Sequence, residues 1–259
     1  MHSALSGDAV SPQDRMAAAA IEMGCKYIAL TEHSNLDFAV NNIEMATTDL
    51  ALYDAEIKKL KANFAGKLDI TYGLEVGYDE KASHYYADSI KRYGYDYVIN
   101  SVHLIKGGDC YWEAYFKGRK QKEVFQAYLN EVYESLSAPY RFNTLGHFGY
   151  ITRNCPYSDR DMLRDYGDIV KSILIKIIET GVALEVNTAV CTAPAPFVPQ
   201  REIVKYYREL GGGLVVYGSD AHSDGSVCRS REQAMAALKE CGFKYHAIFP
   251  GGKLKMLKI

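Results

Sequence analysis

Neither sign of charge predominates in this chain: 30 lysines and arginines stand against 32 aspartates and glutamates, a formal net charge of −2. A protein that follows a nucleic-acid backbone needs a basic excess to neutralise phosphates, so no nucleic-acid partner is expected. No run approaches the roughly 18 apolar residues of a membrane span, and the N-terminus lacks a basic-then-apolar signal segment. A cytoplasmic protein with no membrane partner is the expectation. The six cysteines, at positions 25, 110, 155, 191, 228 and 241, form no C-x-x-C pair. That spacing argues against a zinc ribbon or a disulfide framework and for reduced thiols. Linkers rich in Pro, Gly or Ser, low-complexity tracts and sequence repeats are missing as well. The stretch "CTAPAPFVP" at 191–199 reads as a stiff loop rather than a domain linker. One domain over residues 1–259 is therefore expected, a length at which α/β barrels form single units.

What is present is an alternation. Short apolar runs at 27–30, 70–76, 95–102, 142–145, 182–186, 214–217 and 245–249 are separated by segments of helical period. Those segments lie at 12–23, 49–64, 83–93, 120–137, 159–180, 199–210 and 230–241. This is the pattern of βα units around a parallel sheet, here six or seven of them. Ser11 followed by Pro12 predicts a helix start, and Gly24, Gly181, Gly211 and Gly242 fall where left-handed C-terminal caps are expected.

The ends of the apolar runs share one chemistry. "YIALTEH" ends on His33, "ITYGLEVG" carries Glu75, "YVINSVH" ends on His103, and "FNTLGHFGY" carries His147. "ALEVN" carries Glu185 and Asn187, while "LVVYGSDAH" ends on Asp220 and His222. In a barrel of parallel strands the C-terminal ends share one face, so these side chains converge there. A single histidine near a strand end is more often a packed, hydrogen-bonding side chain than a ligand. The weight comes from recurrence: counting His2, five of the seven histidines occupy such positions, leaving His84 as a solvated helix residue and His246 as an ordinary strand residue. Glu75 adds to it, because a carboxylate buried in so apolar a run is costly unless paired or bound to a cation. Glu32 alternates to the other side of its strand from His33 and is expected to be structural. Glu185 is expected to support a ligand by hydrogen bonding. Imidazoles and carboxylates without thiolate suit Zn, Mn or Fe, and the supply exceeds the needs of one four-coordinate ion. Clustered divalent ions activate water and screen the charge of a phosphate under attack, so phosphoester hydrolysis is the expected chemistry.

In this order the motifs resemble those of the polymerase and histidinol phosphatase (PHP) superfamily, in its histidinol-phosphatase branch, over nearly the whole chain. They are His2 with Asp8 in "MHSALSGD", "TEH" at 31–33, "GLE" at 73–75, "SVH" at 101–103, "GH" at 146–147 and "SDAHS" at 219–223. The resemblance implies an α/β fold, a distorted (β/α)7 barrel of the PHP type, holding three divalent ions. It implies one ion on His2, Glu75 and Asp220, a second on Glu75, His103 and His147, and a third on Asp8, His33 and His222. In the family the first motif reads His-x-His, whereas here "MH" supplies only its second histidine; the expectation is a first strand that is truncated.

The substrate expected from the resemblance is a small-molecule phosphoester, L-histidinol phosphate. Arg153, six residues beyond His147, is expected just past the barrel mouth as a bidentate phosphate grip. Lys106, Arg119, Arg229 and Arg231 are further loop cations that nothing in the sequence ranks. Protonation of the leaving alkoxide is expected from a metal-bound water or from Asp220. Two alternatives stand beside this reading: hydrolysis of another small phosphoester such as a nucleotide, and a non-catalytic module. Oligomeric state is not legible in the sequence.

Overall fold

The computed structural model describes residues 1–41, 47–189 and 197–259. Ten strands are formed there: β1 (Tyr27–Ser34), β2 (Asp69–Gly77), β3 (Tyr97–Ser101), β4 (Leu104–Ile105), β5 (Gly108–Asp109), β6 (Thr144–Leu145), β7 (Ala183–Asn187), β8 (Val215–Gly218), β9 (Tyr245–Ile248) and β10 (Lys255–Lys258). The helices are α1 (Gln13–Glu22), α2 (Leu36–Val40), α3 (Leu50–Asn63), α4 (Ser83–Tyr93), α5 (Glu113–Phe116), α6 (Gln121–Ser135), α7 (Met162–Thr180), α8 (Arg201–Glu209) and α9 (Arg231–Glu240).

Six strands pair in the order β1-β2-β3-β6-β7-β8, all parallel, and curve into a half-barrel with helices on the outside. Parallel strands covered on both faces read as continuous apolar runs, and β2 is buried at every position after Asp69. Each outer helix supplies an apolar stripe. On α7 the buried set Met162, Tyr166, Val170, Ile173, Leu174 and Ile177 recurs at helical spacing. Its first turn is closed by Asp161, whose carboxylate accepts from the Arg164 N–H at 2.9 Å. Asp49 caps α3 in the same way, accepting from the Ala51 and Leu52 N–H groups at 3.0 Å.

The expected elements are present with shifted ends. The run at 142–145 forms only the two-residue β6, and α7 starts at Met162 rather than near 159. At α1 the capping residue is Pro12, and the Ser11 hydroxyl instead donates to Asp224 at 3.1 Å. The four glycines expected beyond helix ends all have positive φ. The seventh run, β9, leaves the parallel sheet: it pairs antiparallel with β10 and packs Ala247 on Ala183 and Val216 at the base of the half-barrel. The stretch read as a stiff loop lies, in its 191–196 part, outside the described residues.

Between the edge strands β1 and β8 run residues 1–3, which accept the Thr31 N–H at the Met1 carbonyl (2.9 Å) and donate the His2 N–H to the Ala221 carbonyl (2.8 Å). The segment thus bridges β1 and the loop after β8 through its backbone. The opposite side of β1 is held by α3, where the buried Tyr53 hydroxyl lies 2.8 Å from both the Leu30 and the Gly73 carbonyl oxygens. Losing this link leaves buried carbonyls short of a donor. Tyr53→Phe is expected to lower stability by about 1–2 kcal/mol, seen as a lower urea midpoint with an unchanged slope.

Candidate metal centre

Strand ends place the site. β1 and β2 are paired with His33 opposite Glu75. Three further side chains each stand two residues beyond the last residue of a strand: His103 after β3, His147 after β6 and Asp220 after β8. A period of two keeps them on the inward side of the half-barrel. Asp220 adopts φ +48°, in the left-handed region, so the chain turns sharply there before presenting His222.

Glu75 is the centre of the arrangement and is 2% exposed. Its Oε1 lies 3.2 Å from His103 Nε2 and 3.0 Å from His147 Nε2, and its Oε2 lies 3.2 Å from His2 Nε2. His2 Nε2 is also 3.1 Å from Asp220 Oδ1. Asp8 Oδ2 stands 3.5 Å from His33 Nε2 and 3.3 Å from His222 Nε2. All eight expected ligands therefore meet in one basin, as three adjoining groups. Of the trios of donor atoms lying within 4.8 Å of one another, one is His2, Glu75 and Asp220, and two others, His2-His33-His222 and His33-Glu75-His103, link the neighbouring groups.

The electrostatics of the basin favour cations. Burial works against the charge of Glu75, yet His33, His103, His147 and His2 hold its carboxyl well below the usual range. Asp220 is likewise held down, against burial, by His2 and Arg153. Burial drives His103 down to about 4, with Glu75 opposing, so its imidazole is neutral and has a lone pair to give. Burial would lower His33 too, but Glu75, Asp8 and Asp220 push it up to about 9. The acids demand positive charge strongly enough to load a proton onto a buried ring. His103 Nε2 and His147 Nε2 crowd to 3.2 Å, and the Nδ1 atoms of His2, His33, His103 and His147 are buried without a hydrogen-bond partner. Crowded imidazole nitrogens around ionised carboxylates are the donor set of Zn, Mn or Fe, and the residues fit such ions.

Around the ligands lies a layer of supports. Glu185 accepts the His147 backbone N–H at 2.6 Å and an Asn187 N–H at 3.1 Å, as its expected supporting role requires. Gly218 leaves room for that carboxylate, since a Cβ there would collide with it. Glu32 faces away from the basin and gathers the N-terminal segment, accepting from the Ser3 N–H at 2.9 Å, from the Ser3 and Ser6 hydroxyls at 2.6 Å each, and from Gln13 at 3.3 Å.

Two expectations need correction. Arg153 does not stand past the mouth as a loop cation: its side chain is 7% exposed, and its Nη2 donates to Asn187 Oδ1 at 2.7 Å and to Asp220 Oδ2 at 3.2 Å. Asp220 has both oxygens engaged and is held ionised, so its environment favours a ligand and disfavours a proton donor. Among the other cations considered, Arg229 lines the cleft above the basin, whereas Arg231 faces a different cavity. The cleft has a volume of about 670 Å3. Its wall includes Phe38, Tyr111, Trp112, Tyr150 and Asp109, none singled out by the sequence, because in a chain with 21 tyrosines nothing marks these loop aromatics. His84 is exposed and His246 buried in β9, both outside the basin.

Comparison with known proteins gives a consistent result. The PHP domain family model matches residues 1–189. A histidinol-phosphatase of Lactococcus lactis is 29% identical over 260 residues, covering 98% of this chain and 94% of that protein. A probable histidinol-phosphatase of Clostridium acetobutylicum is 28% identical over 218 residues, covering 84% and 83%. The crystal structure of the Lactococcus lactis histidinol phosphate phosphatase, complexed with Zn, L-histidinol and phosphate, aligns with a TM-score of 0.85 at 27% identity, over 98% of this chain and 97% of that one.

Because both oxygens of Glu75 are committed to imidazole-bearing groups, its charge is the least replaceable in the basin. Glu75→Gln is expected to reduce the divalent metal retained after gel filtration by half or more, measured by elemental analysis. Retention equal to the parent protein would remove Glu75 from the ligand set.

Proposed function

This chain belongs to the PHP domain family, and from that premise and the geometry of the basin we propose that it hydrolyses L-histidinol phosphate to L-histidinol and phosphate. The observation that carries the reading is the likeness, over nearly the full length of both chains, to an enzyme crystallised with L-histidinol and phosphate. The basin supports it with a ligand set suited to phosphoester chemistry.

Three ions are proposed, of Zn, Mn or Fe. One would be held by His2, Glu75 and Asp220, one by Glu75, His103 and His147, and one by Asp8, His33 and His222. When bound, such ions supply an activated water at neutral pH and screen the phosphoryl charge. The remaining work falls to the chain itself. Glu75 and Asp220 stay ionised and fix the imidazoles around them. Arg153, anchored through Nη2 and with its buried Nε unpartnered, lines the same cleft and offers a guanidinium edge to phosphate oxygens. The aromatic wall of Phe38, Tyr111, Trp112 and Tyr150 gives the organic part of the substrate a surface that excludes water, and Asp109 offers an acceptor for its ammonium.

We read residues 1–259 as one catalytic domain, because β8 and the loop after it supply Asp220 and His222 to ligands that begin at His2. Among the described residues no helix is long and apolar enough to cross a membrane. The described cysteines are free thiols, which suits the cytoplasm.

A panel of phosphoesters assayed with added Zn or Mn tests the reading. L-Histidinol phosphate should exceed nucleotides and sugar phosphates in kcat/KM by about 10-fold or more. Preference for a nucleotide would assign another substrate, and inactivity of the metal-loaded protein on every ester would leave a non-catalytic module. Arg153→Ala should raise KM by about 10-fold or more, and Arg153→Lys should not restore it, because a lysine lacks the planar fork. Unchanged kinetics in Arg153→Ala would dismiss it as a phosphate contact.

A further inference from the structure

Between β1 and β8 a second cavity of about 480 Å3 opens to solvent, running from Cys25 and His246 at the base of the half-barrel to the underside of the basin, where His2, Glu75 and Asp220 line it. Two cysteines line it, Cys25 just before β1 and Cys228 on the loop that follows Asp220 and His222. Their sulfurs are 3.0 Å apart although 203 residues separate them in the chain. Both are half-buried, whereas Cys110, Cys155 and Cys241 are buried. Nothing in the proposed hydrolysis uses either thiol. We propose that Cys25 and Cys228 form a hydroperoxide-sensitive dithiol whose reversible disulfide fastens the loop bearing Asp220 and His222 to the start of β1.

The geometry assigns the two sulfurs different roles. Cys25 is held at about 7 by a hydrogen bond from the Cys228 thiol, against burial and with help from Arg231, so it is the readier thiolate. Cys228 is pushed up by the same contact and by burial, and stays protonated until its neighbour has reacted. The backbone at Cys228 is set in the left-handed region, φ +60°, between the Arg229 N–H donated to Ser226 and the Arg231 N–H donated to the Cys228 carbonyl, each at 3.2 Å. That conformation is unfavourable for a residue with a side chain, and the surrounding turns enforce it. Both sulfurs are therefore held in place on ordered backbone, and closing the bond requires them to approach by about 1 Å.

The chemistry balances. The Cys25 thiolate attacks one oxygen of hydrogen peroxide, the O–O bond breaks, and hydroxide leaves as water after taking a proton. The Cys228 thiol then attacks the resulting sulfenic sulfur, forms the S–S bond and expels a second water. Two thiols lose two electrons to one peroxide, and an external dithiol reverses the step.

The test uses the full chain. After brief treatment with hydrogen peroxide and blocking of the remaining thiols, peptide mapping should find Cys25 joined to Cys228. The thermal midpoint should rise by roughly 5–10 °C, and dithiothreitol should return it to the starting value. In Cys228→Ser the same treatment should leave a sulfenic acid at Cys25 that dimedone traps, with no rise in midpoint. Absence of the 25–228 peptide, or joining of Cys25 to Cys191 instead, would overturn the proposal. So would an equal midpoint shift in Cys25→Ser.

Discussion

A carboxylate buried on both oxygens constrains everything near it, and Glu75 is that group. A lone ion of this kind would cost several kcal/mol in the interior, so every neighbour it accepts must donate hydrogen bonds or positive charge. β2, next to the edge strand, carries it inward with β1 and β3 on either side, and His2, His103 and His147 close on its two oxygens. The parallel arrangement makes this possible. Strand ends that meet on one side of a curved sheet can bring ligands from distant parts of the chain to one acid.

The expected ligands are held in turn by a surrounding layer of side chains. His147 is set through its backbone by Glu185, Asp220 through Arg153 and Asn187, and His2 with Asp8 through the segment that Glu32 gathers. Val10 extends this last hold, donating its N–H to the His222 carbonyl at 2.9 Å. The N-terminal segment and the loop after β8 therefore meet over the basin. Glu32 and Glu185, buried outside the ligand set, are satisfied by protein donors, which leaves the converging imidazoles free for cations.

Much of the basin was legible in the sequence because strand ends are marked twice, by an apolar run and by a polar residue that closes it. His33, Glu75, His103, His147, Asp220 and His222 were all visible in that way. Glu32 and Glu185 were legible as supports, the first from strand alternation and the second from its place inside an apolar run. What escaped depended on long-range packing. The run that became β9 has the composition of a sheet strand, and only its antiparallel pairing with β10 removes it from the parallel set. Arg153 reads as a loop cation because sequence spacing carries no information about burial, and it is the acceptors Asp220 and Asn187 that draw it inward. Ser11 looked like a helix cap until Asp224, 213 residues away, competed for its hydroxyl. The aromatic wall had no signal, since its members lie in short helical turns and loops whose positions no periodicity describes.

The contact between His2 and Asp220 spans 218 residues, and this has a consequence in time as well as in space. A chain is made from its N-terminus, so His2 and Asp8 emerge well before Asp220 and His222, the partners that β8 and the loop beyond it supply. Closure of so long a loop comes late in folding, after the local βα units have formed. The basin is then completed only after the loop that follows β8 has been made. Until that moment the acids at its centre lack part of their partners, and capture of the proposed ions would coincide with completion of the basin.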